Sequence, residues 1–167
     1  HEHACFTFIF HEVSRVFTHE LVRHRAGSAF SQESLRYVRL TDIGFRLAPA
    51  LEPLRRDVVE LVERLETFQH DAAEALLNDE MPFAIKKEVT SALRRLAPLG
   101  LSHDIVWTAN VRTLRHVIAQ RTEPGAEAAM RLVFGRVAEL GVAEAPHLFQ
   151  DFSRSEDGSW VPEHHKV

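Results

Sequence analysis

The amino-acid sequence predicts a single α+β domain, a small antiparallel sheet flanked by several helices, one of them long and central. Two short runs rich in aromatic and β-branched residues, 4–10 and 104–109, are too short for stable helices and read as strands. Elsewhere apolar residues recur at steps of three and four, the period of a helix with one buried face. No repeat or linker divides the 167 residues, and a chain of that length buries roughly two thirds of the surface its unfolded form exposes.

The first strand, Ala-Cys-Phe-Thr-Phe-Ile-Phe, gives way at Val13 to a helical pattern reaching about His24. Val13, Val16, Phe17 and Leu21 form its apolar stripe, and Arg15, His19 and Arg23 recur every four residues on another face. A loop rich in Gly, Ser and Gln is expected over 26–33, followed by a short extended piece beginning Leu35-Arg36-Tyr37-Val38. The long helix spans about 51–77, with Pro53 in its first turn. Asn78, Asp79 and Met81-Pro82 end it, and a further helix runs from 83 to about 96. After the second strand, Asn110 is placed to cap a helix over 111–121, and a last long helix starts at Glu123 or Pro124 and ends near Leu140. The tail, 153–167, is polar and expected to be loosely ordered.

Composition narrows the function classes. Hydrophobic residues are 45% and charged residues 26% of the chain, as in ordinary globular proteins. A formal charge of −4 argues against bulk attraction to nucleic acid or anionic lipid, so any anion site must be local. The longest apolar stretches are strand-sized, far short of the roughly 20 residues of a membrane-spanning helix. Cys5 is the single cysteine, which excludes an internal disulfide and suits a cytoplasmic location. The chain opens at His1-Glu2-His3 and runs straight into a strand, and we read it as lacking an N-terminal segment.

The richest chemistry lies in Arg23-His24-Arg25, eight residues of loop, and then Ser34-Leu35-Arg36. Guanidinium groups bind phosphate through paired, charge-assisted hydrogen bonds, and Ser28, Ser31 and Ser34 add hydroxyl donors. The alternative is a solvated basic helix end, favoured by the helix dipole. Ser34 has no legible Asp/Glu and His arrangement around it, so it is assigned to binding, not attack. No Gly-x-Gly-x-x-Gly occurs, and His19-Glu20 is not followed by a histidine at the zinc-site spacing, since the next is His24. No metal site is assigned.

The blocks Glu2-His3-Ala-Cys-Phe-Thr-Phe, Val13-Ser14-Arg15, His19 to Arg25, Arg94-Arg95-Leu-Ala-Pro98 and Trp107 to Arg121 occur in an order that resembles the flavin-dependent thymidylate synthases. That resemblance implies reductive C5 methylation of a uridine monophosphate, with FAD as cofactor and methylenetetrahydrofolate and NADPH as co-substrates. It also implies a homotetramer with shared active sites. Residue by residue, Arg23, His24, Arg25, Asn110, Arg112 and His116 match flavin-contacting positions. Glu20, Arg23, Gln32, Glu33, Ser34, Leu35, Arg36, Arg94 and Arg121 match the nucleotide-reading region. Arg121 matches the catalytic arginine, a fixed cation favouring the ionised N3 of uracil. Taken alone, Asn110 also reads as a helix cap, His116 as a half-buried histidine, and Arg94 and Arg112 as surface ion-pair residues.

Three departures from the family pattern bear on the substrate. The loop between Arg25 and Ser34 holds eight residues where seven are usual, Glu20 replaces a glutamine, and Gln32 replaces an acidic residue with Glu33 adjacent. Preference for dUMP or for UMP is therefore open, as is a flavin- or nucleotide-binding module without catalysis. Cys5, expected to be buried and blunted in its strand, is not assigned the role of pyrimidine nucleophile.

Overall fold

The computed structural model describes residues 1–35 and 44–164. Three strands, β1 (Cys5–Ser14), β2 (Ser28–Gln32) and β3 (Ser102–Asn110), form an antiparallel sheet with β3 in the middle. The helices are α1 (Arg15–Leu21), α2 (Arg55–Leu76), α3 (Phe83–Leu93), α4 (Val111–Arg121), α5 (Ala128–Glu144) and the short α6 (Pro146–Phe149). A separate two-stranded ribbon pairs β4 (Phe152–Arg154) with β5 (Trp160–Pro162).

Period-two alternation decides which face of the sheet is buried. Phe6, Phe8 and Phe10 of β1 stand opposite Ala109, Trp107 and Ile105 of β3, and Phe30 of β2 stands on the other side of Trp107. Trp107 is fully buried, stacks on Phe8 at 6.0 Å, and meets Phe134 of α5 edge-on at 5.6 Å. Its indole N–H donates to Ser28 Oγ at 3.0 Å, so the largest core side chain keeps its one polar atom satisfied. α1, α4 and α5 close this face with Phe17, Leu21, Leu114, Val117, Ile118, Met130 and Phe134, all completely buried.

Both β1 and β3 run directly into a helix, and in each case the last strand residue is the cap. Ser14 Oγ accepts from Phe17 N–H at 3.1 Å and Asn110 Oδ1 from Thr113 N–H at 2.9 Å. Because the strands are antiparallel, with Cys5 paired to Asn110 and Ser14 to Ser102, these helices start from opposite ends of the sheet. Running back over the buried face they span roughly 10 and 16 Å, against roughly 30 Å of strand, so their C-terminal ends approach each other.

Several sequence expectations need correction. The expected loop over 26–33 contains β2, a strand despite its small residues, because Ser28 and Phe30 occupy inward positions against Ala109 and Trp107. The expected loose tail is instead tied down by the β4–β5 pair: Phe152 and Trp160 are only 9% exposed, and Trp160 N–H donates to Thr122 Oγ1 at 2.8 Å. β1 continues past residue 10 through a bulge, with Glu12 at φ 52°. The long helix begins at Arg55 after a 3-10 turn, Pro49–Leu54, that takes up Pro53. It packs on α3, with the Gln69 amide donating to Leu93 O at 3.0 Å. α5 starts later than expected, where the Glu127 carboxylate accepts from Ala129 N–H at 2.7 Å, and ends later, at Glu144. Cys5 is exposed, since it shares the outward phase of Thr7 and Ile9, so burial gives no reason for a blunted thiol. Of the piece expected at 35–38, only Leu35 lies within the described residues.

Candidate active site

The C-terminal ends of α1 and α4 meet in a cluster of four charged or titratable groups. Arg121, the last residue of α4, places Nη1 2.9 Å from Glu20 Oε2 and donates from Nε to His24 Nε2 at 2.8 Å. The Arg121 and Glu20 side chains are 17% and 25% exposed, so the pair is partly shielded from water. Glu20 also faces Arg23 at 3.5 Å, although Arg23 is largely solvated.

Since His24 Nε2 accepts a hydrogen bond from a permanent cation, the ring proton resides on Nδ1 and the imidazole is neutral. Partial burial lowers the His24 pKa to about 4, and the charges of Arg121 and His116 push the same way against Glu20. His24 thus orients the guanidinium without competing for its charge.

The segment carrying Arg23, His24 and Arg25 is pinned onto the start of α4. Asn110 N–H donates to Gly27 O at 3.0 Å, and Thr113 Oγ1 donates to Ala26 O at 2.7 Å. Gly27 has φ +67°, and a Cβ there would sit 2.5 Å from both Asn110 Nδ2 and Thr113 Oγ1. Only glycine allows this approach. Asn110 is therefore a helix cap and a support of the Arg-rich loop at once. Arg112 and His116 are exposed one turn apart on α4, and Arg112 is bonded to Glu2 at 2.5 Å. Arg25 is exposed, and no ion pair among the described residues includes it.

The remaining site residues gather along the N-terminal half of α1. Gln32 Nε2 donates to Thr18 Oγ1 at 3.0 Å, and Glu33 N–H donates to Asp104 O at 3.2 Å. Ser34 is exposed and Leu35 half-buried, whereas Arg36 lies outside the described residues. Arg94 follows α3 in a 3-10 turn, close enough to Arg15 for the two charges to repel. Two groupings therefore exist: Glu20, Arg23, His24 and Arg121 at one end of α1, and Gln32 to Ser34 with Arg94 towards the other.

Sequence reasoning missed three features. Arg15 and His19 stand on a polar helix face and within the family-like blocks but receive no site role from the sequence, yet they flank the second grouping. His103 went unnoticed, although it shares the inward phase of Ile105 and Trp107, where an imidazole is out of place. The third is structural: Arg115 holds Asp151 through two bonds of 2.6 and 2.8 Å, lies 4.7 Å over the Phe152 ring, and lowers the Asp151 pKa to about 2.

Residues 1–147 match the family model described as thymidylate synthase complementing protein. The flavin-dependent thymidylate synthase of Mycobacteroides abscessus is 35% identical over 166 residues, covering 90% of this chain and 63% of that protein. The enzyme of the same name from Mycobacterium marinum is 34% identical, covering 96% and 67% respectively. This chain thus spans about two thirds of the length of the curated relatives it matches. The crystal structure of thymidylate synthase X from Helicobacter pylori with FAD and dUMP superimposes with a TM-score of 0.67 over 88% of this chain and 72% of that one. Identity there is 18%, so this likeness concerns the fold.

Proposed function

Because this chain belongs to the flavin-dependent thymidylate synthase family, we propose that it catalyses reductive C5 methylation of a uridine monophosphate, converting dUMP to dTMP. Methylenetetrahydrofolate is the carbon donor and NADPH the source of reducing equivalents in this reading. The observation that carries it is the half-buried Arg121, fixed by Glu20 and a neutral His24 at the junction of the two helices.

The donor set fits a dinucleotide flavin. Arg23, Arg25, Arg112 and His116 are exposed, with His116 close enough to act on His24, and guanidinium forks suit a diphosphate in a fold without a glycine-rich cradle. Arg23, His24, Arg25, Asn110, Arg112 and His116 would hold FAD, which when reduced supplies the hydride and relieves the protein of a nucleophilic thiol. Glu20, Arg23, Gln32, Glu33, Ser34, Leu35, Arg36 and Arg94 would bind and orient the nucleotide. Arg121 favours the anionic form of the pyrimidine, making C5 electron-rich; a preorganised cation in a shielded site gains more from developing charge than one in water.

The exposure of Arg25, Arg112 and His116 in a single chain supports the homotetramer with shared sites, because a second subunit would exclude water from this rim. A cytoplasmic location agrees with the lone exposed Cys5 and with the absence, among the described residues, of a helix long and apolar enough to cross a membrane.

The Glu20–Arg121 ion pair supports a second reading, a flavin- or nucleotide-binding module without turnover, because the carboxylate neutralises the cation that catalysis would use. Identification of co-purified flavin, followed by tritium release from C5-labelled dUMP and UMP side by side, separates the readings. Flavin with release from dUMP supports the proposal, and faster release from UMP reassigns the substrate. A yellow protein without release from either nucleotide selects the module.

A further inference from the structure

We infer that His103, together with Arg15, His19 and Arg94, forms a subsite for the dianionic phosphate of the nucleotide, making His103 a substrate-binding residue outside the family-matched set. The inference rests on the nucleotide reading above. His103 is 2% exposed, and neither Nδ1 nor Nε2 has a hydrogen-bond partner. Buried polar groups in native proteins are nearly always paired, and an orphaned one asks for an explanation. Its neighbour Ser102 is 7% exposed and likewise leaves its hydroxyl unpartnered.

The surroundings select an anion. Arg15 and His19 of α1 face His103, and Arg94 faces Arg15. Among the described residues, no ion pair includes Arg15, His19 or Arg94. The one carboxylate acting on His103 is Asp104, which is engaged elsewhere: Oδ2 meets His11 Nδ1 at 2.9 Å and Oδ1 accepts from Glu12 N–H at 2.8 Å. Among the described residues, three cationic or polar donors are thus collected around an unpartnered imidazole whose one acting carboxylate, Asp104, is engaged elsewhere. Burial, then the charges of Arg15 and His19, hold His103 neutral at ordinary pH with a pKa of about 4, so one ring nitrogen donates to a phosphate oxygen.

Register identifies which end of the nucleotide reaches it. The Glu33 to Asp104 bond extends the β2–β3 pairing one step past Gln32 and Ile105, bringing Ser34 to the level of His103. Ser34 and Arg94, two residues assigned to the nucleotide, therefore bracket the cationic cluster, while Arg121 stands at the opposite end of α1 for the base. A phosphate monoester is the part of the substrate with the charge that complements this cluster.

The test is titration of the flavin-loaded full chain with dUMP, deoxyuridine, inorganic phosphate and further FAD, in wild type, His103→Leu and His103→Gln. His103→Leu should weaken dUMP and inorganic phosphate about ten- to a hundredfold, the loss of one hydrogen bond to a charged group. Deoxyuridine affinity and flavin content should stay within about twofold, and His103→Gln, which keeps an N–H donor, should recover most of the loss. Equal weakening of dUMP and deoxyuridine, or no weakening of either, overturns the subsite. If His103→Leu fails to fold, the ring signals of His103 in ¹⁵N-labelled wild type decide: movement on adding inorganic phosphate supports the subsite, and no movement overturns it. Failure of wild type to bind dUMP contradicts the nucleotide reading, whereas a phosphate-dependent shift of His103 in that same protein still supports the anion subsite.

Discussion

Arg121 Nε donates to His24 Nε2 across 2.8 Å, joining the end of α4 to the turn that follows α1. The two residues are 97 positions apart and come from helices launched at opposite ends of one antiparallel strand pair. The bond fixes the His24 tautomer and aims the guanidinium, and Glu20 completes its support at 2.9 Å.

Glu20→Gln tests how far that carboxylate masks the cation. An amide keeps a hydrogen-bond acceptor for Arg121 but removes a negative charge next to an anionic substrate. The expected outcome in steady-state assays is a severalfold lower KM for dUMP with undiminished kcat. A higher KM would show that Glu20 contacts the nucleotide favourably as an acceptor.

Gly27→Ala should disturb the site through the backbone. A Cβ would overlap Asn110 and Thr113, and an alanine at φ +67° adds a strain of roughly 1–2 kcal/mol. The Arg23–Arg25 segment would then lift from α4, and flavin affinity should fall at least tenfold by absorbance titration. Unchanged affinity would mean that the loop's seating does not govern flavin binding.

Arg115→Ala removes one partner of a buried pair and leaves the Asp151 carboxylate without its counter-ion. Such losses cost about 3–5 kcal/mol, and chemical denaturation should show a destabilisation of that order. A change under about 1 kcal/mol would indicate that the pair is solvated in the native protein.

Acid should weaken the fold in two stages. His24 and His103 have folded-state pKa values of about 4, below the unfolded 6.5, so the unfolded chain takes up protons first as pH falls. Their contribution is present above about 6.5 and is lost between there and about 4. Asp151, lowered to about 2 from the ordinary 3.8, holds its contribution above about 3.8 and loses it between there and about 2. Denaturant midpoints measured from pH 8 to 3 should decline first between 6.5 and 4, and His103→Leu should flatten that part of the curve.

What the sequence reveals depends on how local the signal is. β1 and β3 were legible because Phe6, Phe8, Phe10, Ile105 and Trp107 concentrate their apolar area in short runs. The same alternation places Cys5 outward with Thr7 and Ile9, so its exposure follows from phase, which an apolar-run reading overlooks. β2 escaped notice because Phe30 is its sole large apolar residue, and pairing with β3 rather than intrinsic propensity makes it a strand. The tail is ordered by two isolated aromatics, Phe152 under Arg115 and Trp160 bonded through its backbone N–H to Thr122, contacts with a distant part of the chain. Within the site, the Arg-His-Arg run and Arg121 were recognisable as family blocks, but the Glu20–Arg121–His24 contacts and the orphaned His103 depend on helix placement that no local pattern encodes.

Tritium release from C5-labelled dUMP by Arg121→Ala, compared with wild type at matched flavin content, addresses the central claim most directly. The expected result is a kcat lower by about 10²–10³, the size typical of removing one preorganised charge-stabilising group, with a much smaller change in KM. Full turnover by the flavin-replete variant would contradict the role given to Arg121.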